Sequence, residues 1–284
     1  MFSLILENEY GNSIELSNNR NYSILEITGL HPPDATISTS DLALYDGAKF
    51  TMSKVNMRSI DIQLAINQMA EQNRIALYNV IKTKHYIKLK YKNGVRDVFI
   101  DGYVERMPVD YYANPQEVTI SILCTEPYFN DAQEIISEIS TVINNFIFPF
   151  AIEATNKAPI SYLDDVLELD VINKGEIETG VIIEIRATGS VVNPAIFNRQ
   201  TTKYFKLNFT MQTGDLITID TNSGKKSVTL LRGGIETNIF NSIAKGVTWL
   251  QLSPGDNVFT YESDSDTSQN MVIRFVHRYQ YEGV

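Results

Sequence analysis

Apolar and polar residues alternate in short runs along most of the chain, and the runs are separated by turn residues. The strictest case is RSIDIQLAI, where Ile60, Ile62, Leu64 and Ile66 fall on one face and Ser59, Asp61, Gln63 and Ala65 on the other. A period of two is that of a half-buried strand. FSLILE, NSIELS, YSILEI and DATIST read the same way before it, with the HPPD turn opening the fourth run. The period changes once, in EQNRIALYNVIKTKH, where Ile75, Tyr78 and Ile81 stand at helical spacing beside Leu77 and Val80, and this predicts a helix. In HYIKLKYKNGVRDVFIDGYVERMPV, Asn93-Gly94 separates two strand-like runs and predicts a tight hairpin whose central residues both take positive φ. QEVTISILC closes the first series.

Between Tyr128 and Ile152 the alternation lapses, which predicts a connection, partly helical or an extended arm. Strands then resume as VLELDVIN, TGVIIEIRA, KYFKLNFTM, DLITIDT, KSVTLL, TWLQLS, NVFTYE and MVIRFVHRY. Eight short, evenly spaced strands point to a jelly-roll or galectin-like sandwich. The expected organisation is a mainly β protein: a barrel- or sandwich-like domain with one helix over 1–130, a linker or arm over 131–150, and a peripheral sandwich over 151–284. A length of 284 residues suits two cores of ordinary size. In TWLQLS, Leu250 and Leu252 share a face opposite Trp249 and Gln251, so the indole is exposed if the leucines face the core, and covered if the strand lies in an inner layer.

Composition narrows the function. No apolar run approaches the ~20 residues of a membrane-spanning helix. The amino terminus meets Glu7 and Glu9 at once without a basic flank, and reads as a first strand rather than a signal peptide. The single cysteine, Cys124, sits in an apolar run and reads as a buried structural thiol. A formal charge of −10 argues against DNA binding through a basic surface, though an acidic wall would let DNA pass without sticking.

The search for chemistry leaves no catalytic, cofactor or metal site. TNSGKKS lacks the glycine spacing of a phosphate-binding loop and reads as a Ser-Gly hairpin turn. His31, His85 and His277 are far apart and lack metal-ligand spacing. Asp264 and Asp266 resemble the start of a calcium loop, but Gln269 occupies the place of its turn glycine. The pairs Asp164 with Asp165 and Glu176 with Glu178 meet the inventory for a glycosidase but are expected by chance in an acidic chain.

The order of segments resembles the distal tail protein family of siphophages. The residues that carry the likeness are ITGLHPPDATIST, the Asp46-Gly47 loop, NMRSIDIQLAI with Arg58 opening the strand, NRIALYNVIK, IDGYVERMPV, SILCTEPYFND, and FPF at Phe148 to Phe150. In the second half they are LDVINKGEIETGVIIEIRATGSVVNPAIFN, TGDLITIDTNSGKKSV and LSPGDNVFTY. The resemblance implies a structural protein of the virion tail tip, made in the host cytoplasm. Its first domain would build a homo-oligomeric ring, six copies around a channel, joining the tail tube protein to the tail hub and to baseplate or receptor-binding proteins, with DNA only in transit. Leu42, Tyr45, Asp46 and Gly47 would belong to a ring or lumen loop, and Trp249 to a partner contact on the outward domain. A defective prophage or tail-like bacteriocin could use the same part; the other reading is a glycan-binding adhesion module.

Overall fold

The computed structural model describes residues 2–17, 19–41, 46–139, 142–144, 161–163, 168–264 and 268–284. It divides into two units, the first made of Met1–Ala132 with Gln280–Val284, the second of Gln133–Tyr279.

The first unit is built on an antiparallel sheet in the order Ser13–Glu15, Ser3–Asn8, Tyr86–Lys92, Asp97–Arg106, Gln116–Cys124, Arg58–Ile66, Tyr22–Thr28. Two of its interior strands, Gln116–Cys124 and Arg58–Ile66, pair over nine residues, setting Ile60, Ile62 and Leu64 directly opposite Ile122, Ile120 and Val118. All six are buried. Each such side chain contributes about 1.5–3 kcal/mol on burial, so this register defines the core. The alternation predicted for Ile60–Ile66 is therefore realised.

The helix Ala70–Val80 packs on this core through Leu77, with Ile81 just past its end also buried. Ile75 is 52% exposed, so the packing face runs through Leu77 and Ile81 rather than through Ile75. The Asn93-Gly94 hairpin also differs from expectation: neither residue has positive φ. The loop is longer than a two-residue turn because the Asn93 carboxamide oxygen accepts from the amides of Val95 and Arg96, at 2.8 and 2.7 Å, and closes it by side-chain bonding.

At one end of the sheet Arg58, 3% exposed, gathers three other chain segments. Its Nε donates to the Pro127 carbonyl at 2.6 Å, Nη1 to those of Gly29 at 2.5 Å and His31 at 2.7 Å, and Nη2 to that of Glu282 at 2.5 Å. The guanidinium lies over the Phe129 ring, 4.6 Å from its centroid. Burial pulls its pKa below the usual range, opposed by Cys124 and Glu282. Gly29, φ +82°, makes this packing possible, since a Cβ there would lie 2.0 Å from the Ser59 carbonyl oxygen. Beside it Cys124 is fully buried and its thiol pKa is pushed up to about 12 by that burial.

The chain's last residues complete this end. Gln280–Tyr281 pairs antiparallel with Phe129–Asp131, which itself pairs with Asp97–Arg106. Arg96 stacks 4.2 Å above Tyr281 and donates to the Gly283 carbonyl. The sequence reading assigns these terminal residues to the second domain. Their backbone bonds place them in the first unit, a long-range pairing that local pattern does not carry.

The second unit has two main sheets. One runs Ile135–Ile139, Met271–His277, Ile182–Ala187, Leu216–Asp220, Ser227–Arg232, Ile235–Asn238; the other Glu168–Asn173, Gly255–Asp264, Val191–Asn198, Tyr204–Lys206. Phe259 and Phe275, one from each, stack at 4.7 Å in the core. Ile135–Ile139, read from sequence as part of a connection, is a full strand against Met271–His277. Val191–Asn198 escapes the sequence reading because Asn193-Pro194 interrupts its alternation. The register shifts between Val192 and Ala195, and Asn193 takes φ 51° at the interruption.

Two measurements test these assignments. Arg58→Met removes a buried charged donor from four carbonyls and should cost the first unit about 1.5–3 kcal/mol in urea unfolding, with Arg58→Lys restoring less than half. Tyrosine circular dichroism mainly reads this unit, which holds 11 of the chain's 15 tyrosines; equal stability would show that the cluster is dispensable. His277 is 4% exposed, and burial lowers its pKa below 6.5, with the Ile172 backbone pulling weakly the other way. The unfolded state then binds the proton more readily, so stability is complete above pH ~6.5 and declines as pH falls toward the folded pKa. His277→Phe should flatten that decline in tryptophan-monitored unfolding; an unchanged profile would exclude His277 as its source.

Candidate functional site

Two surfaces stand out, one in each unit. In the first, Ala35–Asp41 and Ala48–Val55 form a two-stranded sheet of their own. Its base is tied by Asn56, whose amide donates to the Asp34 carbonyl at 2.9 Å and whose side-chain oxygen accepts from the Thr36 hydroxyl at 2.9 Å. Directly opposed residues share a face, so the register sorts the ribbon into two sides. Ala35 with Val55, Ile37 with Ser53, Thr39 with Phe50 and Asp41 with Ala48 make one; Thr36 with Lys54, Ser38 with Met52 and Ser40 with Lys49 make the other.

The first side is mostly apolar and the second mostly polar. None of the ribbon is buried: Ile37 is 65% and Phe50 60% exposed. A lone two-stranded ribbon is marginal in water, and an amphipathic one with its apolar side bare is costlier still. Of the predicted loop residues, Leu42 and Tyr45 lie outside the described residues. Asp46 and Gly47 are exposed at the start of the returning strand, and Gly47 has φ +94°.

In the second unit Leu250 and Leu252 are buried, as their shared face predicts, but only Gln251–Leu252 is strand. Trp249 is half-buried. Its indole packs on Phe205 at 5.1 Å and Phe240 at 5.9 Å between centroids, with the Lys226 ammonium 5.5 Å from its ring. It is thus a side wall of the core that also lines a surface groove of about 330 Å³ with Ser223, Lys226, Val247, Thr248 and Gln251. The sequence reading poses exposure against burial; the indole does some of each, because the residues preceding Leu250 leave strand geometry.

The remaining polar groups are held structurally. Asp215, buried, takes hydrogen bonds from Arg232 Nε at 2.8 Å and the Gln212 amide at 2.7 Å, and the Arg232 bonds hold its carboxyl below the usual range. Asp264 is lowered by hydrogen bonds from Asn193 at 2.7 Å and Lys206 at 3.0 Å; Asp266, Asp164 and Asp165 lie outside the described residues. TNSGKKS is a hairpin turn between Leu216–Asp220 and Ser227–Arg232, with Gly224 at φ +75°. His31 meets the Pro32 carbonyl at 2.8 Å and His85 meets Glu9 at 2.8 Å. Among the described residues no three His, Cys, Asp or Glu side chains cluster as metal ligands.

Sequence reasoning missed the ribbon's second strand, AKFTMSKV, and the Arg58 cluster. The ribbon's apolar side was findable from Ile37 and Phe50 once the register shift between Ser38 and Thr39 is known. The carbonyl partners of Arg58 carry no side-chain signature.

Two family models and several solved structures match the chain. The model of the phage tail protein RIFT-related domain matches residues 10–124, and that of the siphovirus-type tail component C-terminal domain matches 174–279. Among solved structures, the Dit protein of phage SPP1, described as a paradigm of the hub adsorption apparatus in phages infecting Gram-positive hosts, matches with TM-score 0.68 at 15% identity, over 98% of this chain and 99% of that one. Chains of the phage P2 baseplate in its activated conformation match over 100% of both chains, with TM-score 0.57 at 13% identity for the Ca form and 0.58 at 12% for the Sr form. No curated protein matches the sequence. The expected mainly β, sandwich-bearing fold is thus the observed one.

A half-buried indole makes a definite prediction. Trp249→Ala should cost about 2–3 kcal/mol, less than the ~3–5 kcal/mol of a fully buried aromatic and more than a surface change. Thermal unfolding of the full chain checks this; a shift within about 0.5 kcal/mol would mean that the indole does not support the core.

Proposed function

Given that the chain belongs to the siphovirus-type tail components, with a tail RIFT-related domain followed by the C-terminal tail domain, we propose that it is the ring-forming adaptor of the tail tip. It is a structural part of the virion's tail and baseplate region, not an enzyme. On this reading the first unit closes a ring, six copies around a channel, joining the tail tube to the hub. The second unit faces outward toward baseplate and receptor-binding proteins, and DNA passes through without being held.

The observation that carries the proposal is the bare ribbon Ala35–Val55. Its apolar side, Ile37 and Phe50 above all, is satisfied when another copy covers it, and the ordering cost of a marginal hairpin is offset by that burial. On this reading Leu42, Tyr45, Asp46 and Gly47 are the ring or lumen loop; Asp46 and Gly47 are exposed just before the strand Ala48–Val55. The net charge of −10 suits a passive conduit, since like charge keeps the phosphate backbone off the wall. The glycan-binding alternative asks for an open aromatic face, and the indole of Trp249 already has Phe205, Phe240 and Lys226 around it.

The mass of the purified full chain in solution tests the proposal. Light scattering should find a closed oligomer, six copies in the ring form, and Ile37→Lys with Phe50→Lys should return it to folded monomer. A wild-type chain that stays monomeric at high concentration and with tail-tube protein added would overturn the ring, as would a ring indifferent to both substitutions.

A further inference from the structure

We propose that the Trp249 groove seats an acidic peptide segment of a partner protein, a carboxylate engaging Lys226 and a neighbouring apolar side chain resting against the indole edge. This deepens the reading of the second unit as an outward, partner-holding arm. The groove is formed by two anchored pieces. The buried Thr221 hydroxyl donates to the Val181 carbonyl at 2.8 Å and accepts from the Val181 amide at 2.8 Å. The next residue, Asn222, is pressed against Gly180, where a Cβ would lie 2.5 Å from the Asn222 side-chain oxygen. Across the groove Gln251 Nε2 donates to the carbonyls of Thr221 at 2.9 Å and Leu250 at 3.1 Å, tying the turn before Ser227 to the segment carrying Trp249. A site held in place before binding loses less entropy on occupation.

Its chemistry is one-sided. Among the described residues Lys226 is the only charged one lining the groove, and no carboxylate lines it, in a chain with ten more acids than bases. Among the described residues Lys226 has no ion-pair partner; its ammonium rests over the indole. The hydroxyls of Ser223 and Thr248 make no hydrogen bond among the described residues, and Gln251 has its Oε1 left as an acceptor. Three donors for one anion and one acceptor for a backbone N–H are the complement of an acidic residue in an extended peptide. Phe240, 45% exposed and in ring contact with Trp249, extends the apolar wall on which the adjoining side chain would lie. Aromatic anchors with a charged rim are the usual composition of a protein contact. A neutral sugar is the poorer fit because stacking needs the ring face that Lys226 covers.

The test uses the full chain and its single tryptophan as reporter. The probes are an end-blocked pentapeptide of glycine, leucine, glutamate, leucine and glycine, and its counterpart with glutamine in the middle. The glutamate peptide should shift Trp249 emission saturably and bind about tenfold more tightly than the glutamine peptide. The advantage should shrink as salt rises, vanish in Lys226→Ala and persist in Lys226→Arg. Equal responses to both peptides, or no saturable response to the glutamate peptide, would overturn the proposal. A saturable shift with glucose or glucuronic acid in place of the peptide would overturn it in favour of a glycan. Failure here is separable from failure of the ring, since one is read by indole emission and the other by particle mass.

Discussion

Everything at one end of the first unit depends on a single buried guanidinium. Arg58 opens an interior strand and binds the carbonyls of Gly29, His31, Pro127 and Glu282. Pro127 lies just before the chain leaves this unit at Ala132, and Glu282 just after it returns at Gln280. The same side chain therefore fastens both ends of the excursion that forms the second unit. Lysine could not do this, because a point ammonium lacks the planar spread of five donors that reaches four carbonyls at once. Among the described residues no carboxylate accepts a hydrogen bond from it, and its charge is offset by carbonyl dipoles, by the face of Phe129 and by the nearby charge of Glu282.

That arrangement explains how the chain can carry a bare ribbon. The core beneath it is complete without the ribbon: the aliphatic pairs of the two interior strands, the helix through Leu77, and the returning carboxy terminus each bury their own apolar surface. In the proposed assembly the ribbon is free to be specified for contact with another copy rather than for the stability of the monomer. Likewise the sandwich of the second unit closes through Phe259 and Phe275, which leaves Trp249 at the core's margin where it can serve packing and contact together.

Much of this was legible in the order of residues. Strict alternation identified Arg58–Ile66 with its buried face, and the change to helical period located Ala70–Val80. What stayed hidden has common physical causes. Val191–Asn198 was lost because a bulge at Asn193-Pro194 breaks the period while the pairing continues on either side. The Asn93 loop misled because a side-chain cap replaced the positive-φ turn that the dipeptide favours. The carboxy-terminal strand and the carbonyl partners of Arg58 are long-range backbone contacts, which leave no pattern along the chain. At the candidate surfaces, the aromatic at Trp249 was visible and its neighbours Phe205, Phe240 and Lys226 were not, since the fold brings them together from separate strands and turns.

In the proposed assembly, another copy of the chain covers the ribbon formed by Ala35–Asp41 and Ala48–Val55. Backbone hydrogen exchange, measured on the assembled particle and on the dissociated monomer, addresses it most directly. Amides from Ala35 to Asp41 and from Ala48 to Val55 should exchange fast in the monomer, where the ribbon stands alone, and become strongly protected on assembly, while the Arg58–Ile66 strand is protected in both. Fast exchange of the ribbon in the assembled particle, with protection gained elsewhere, would contradict it.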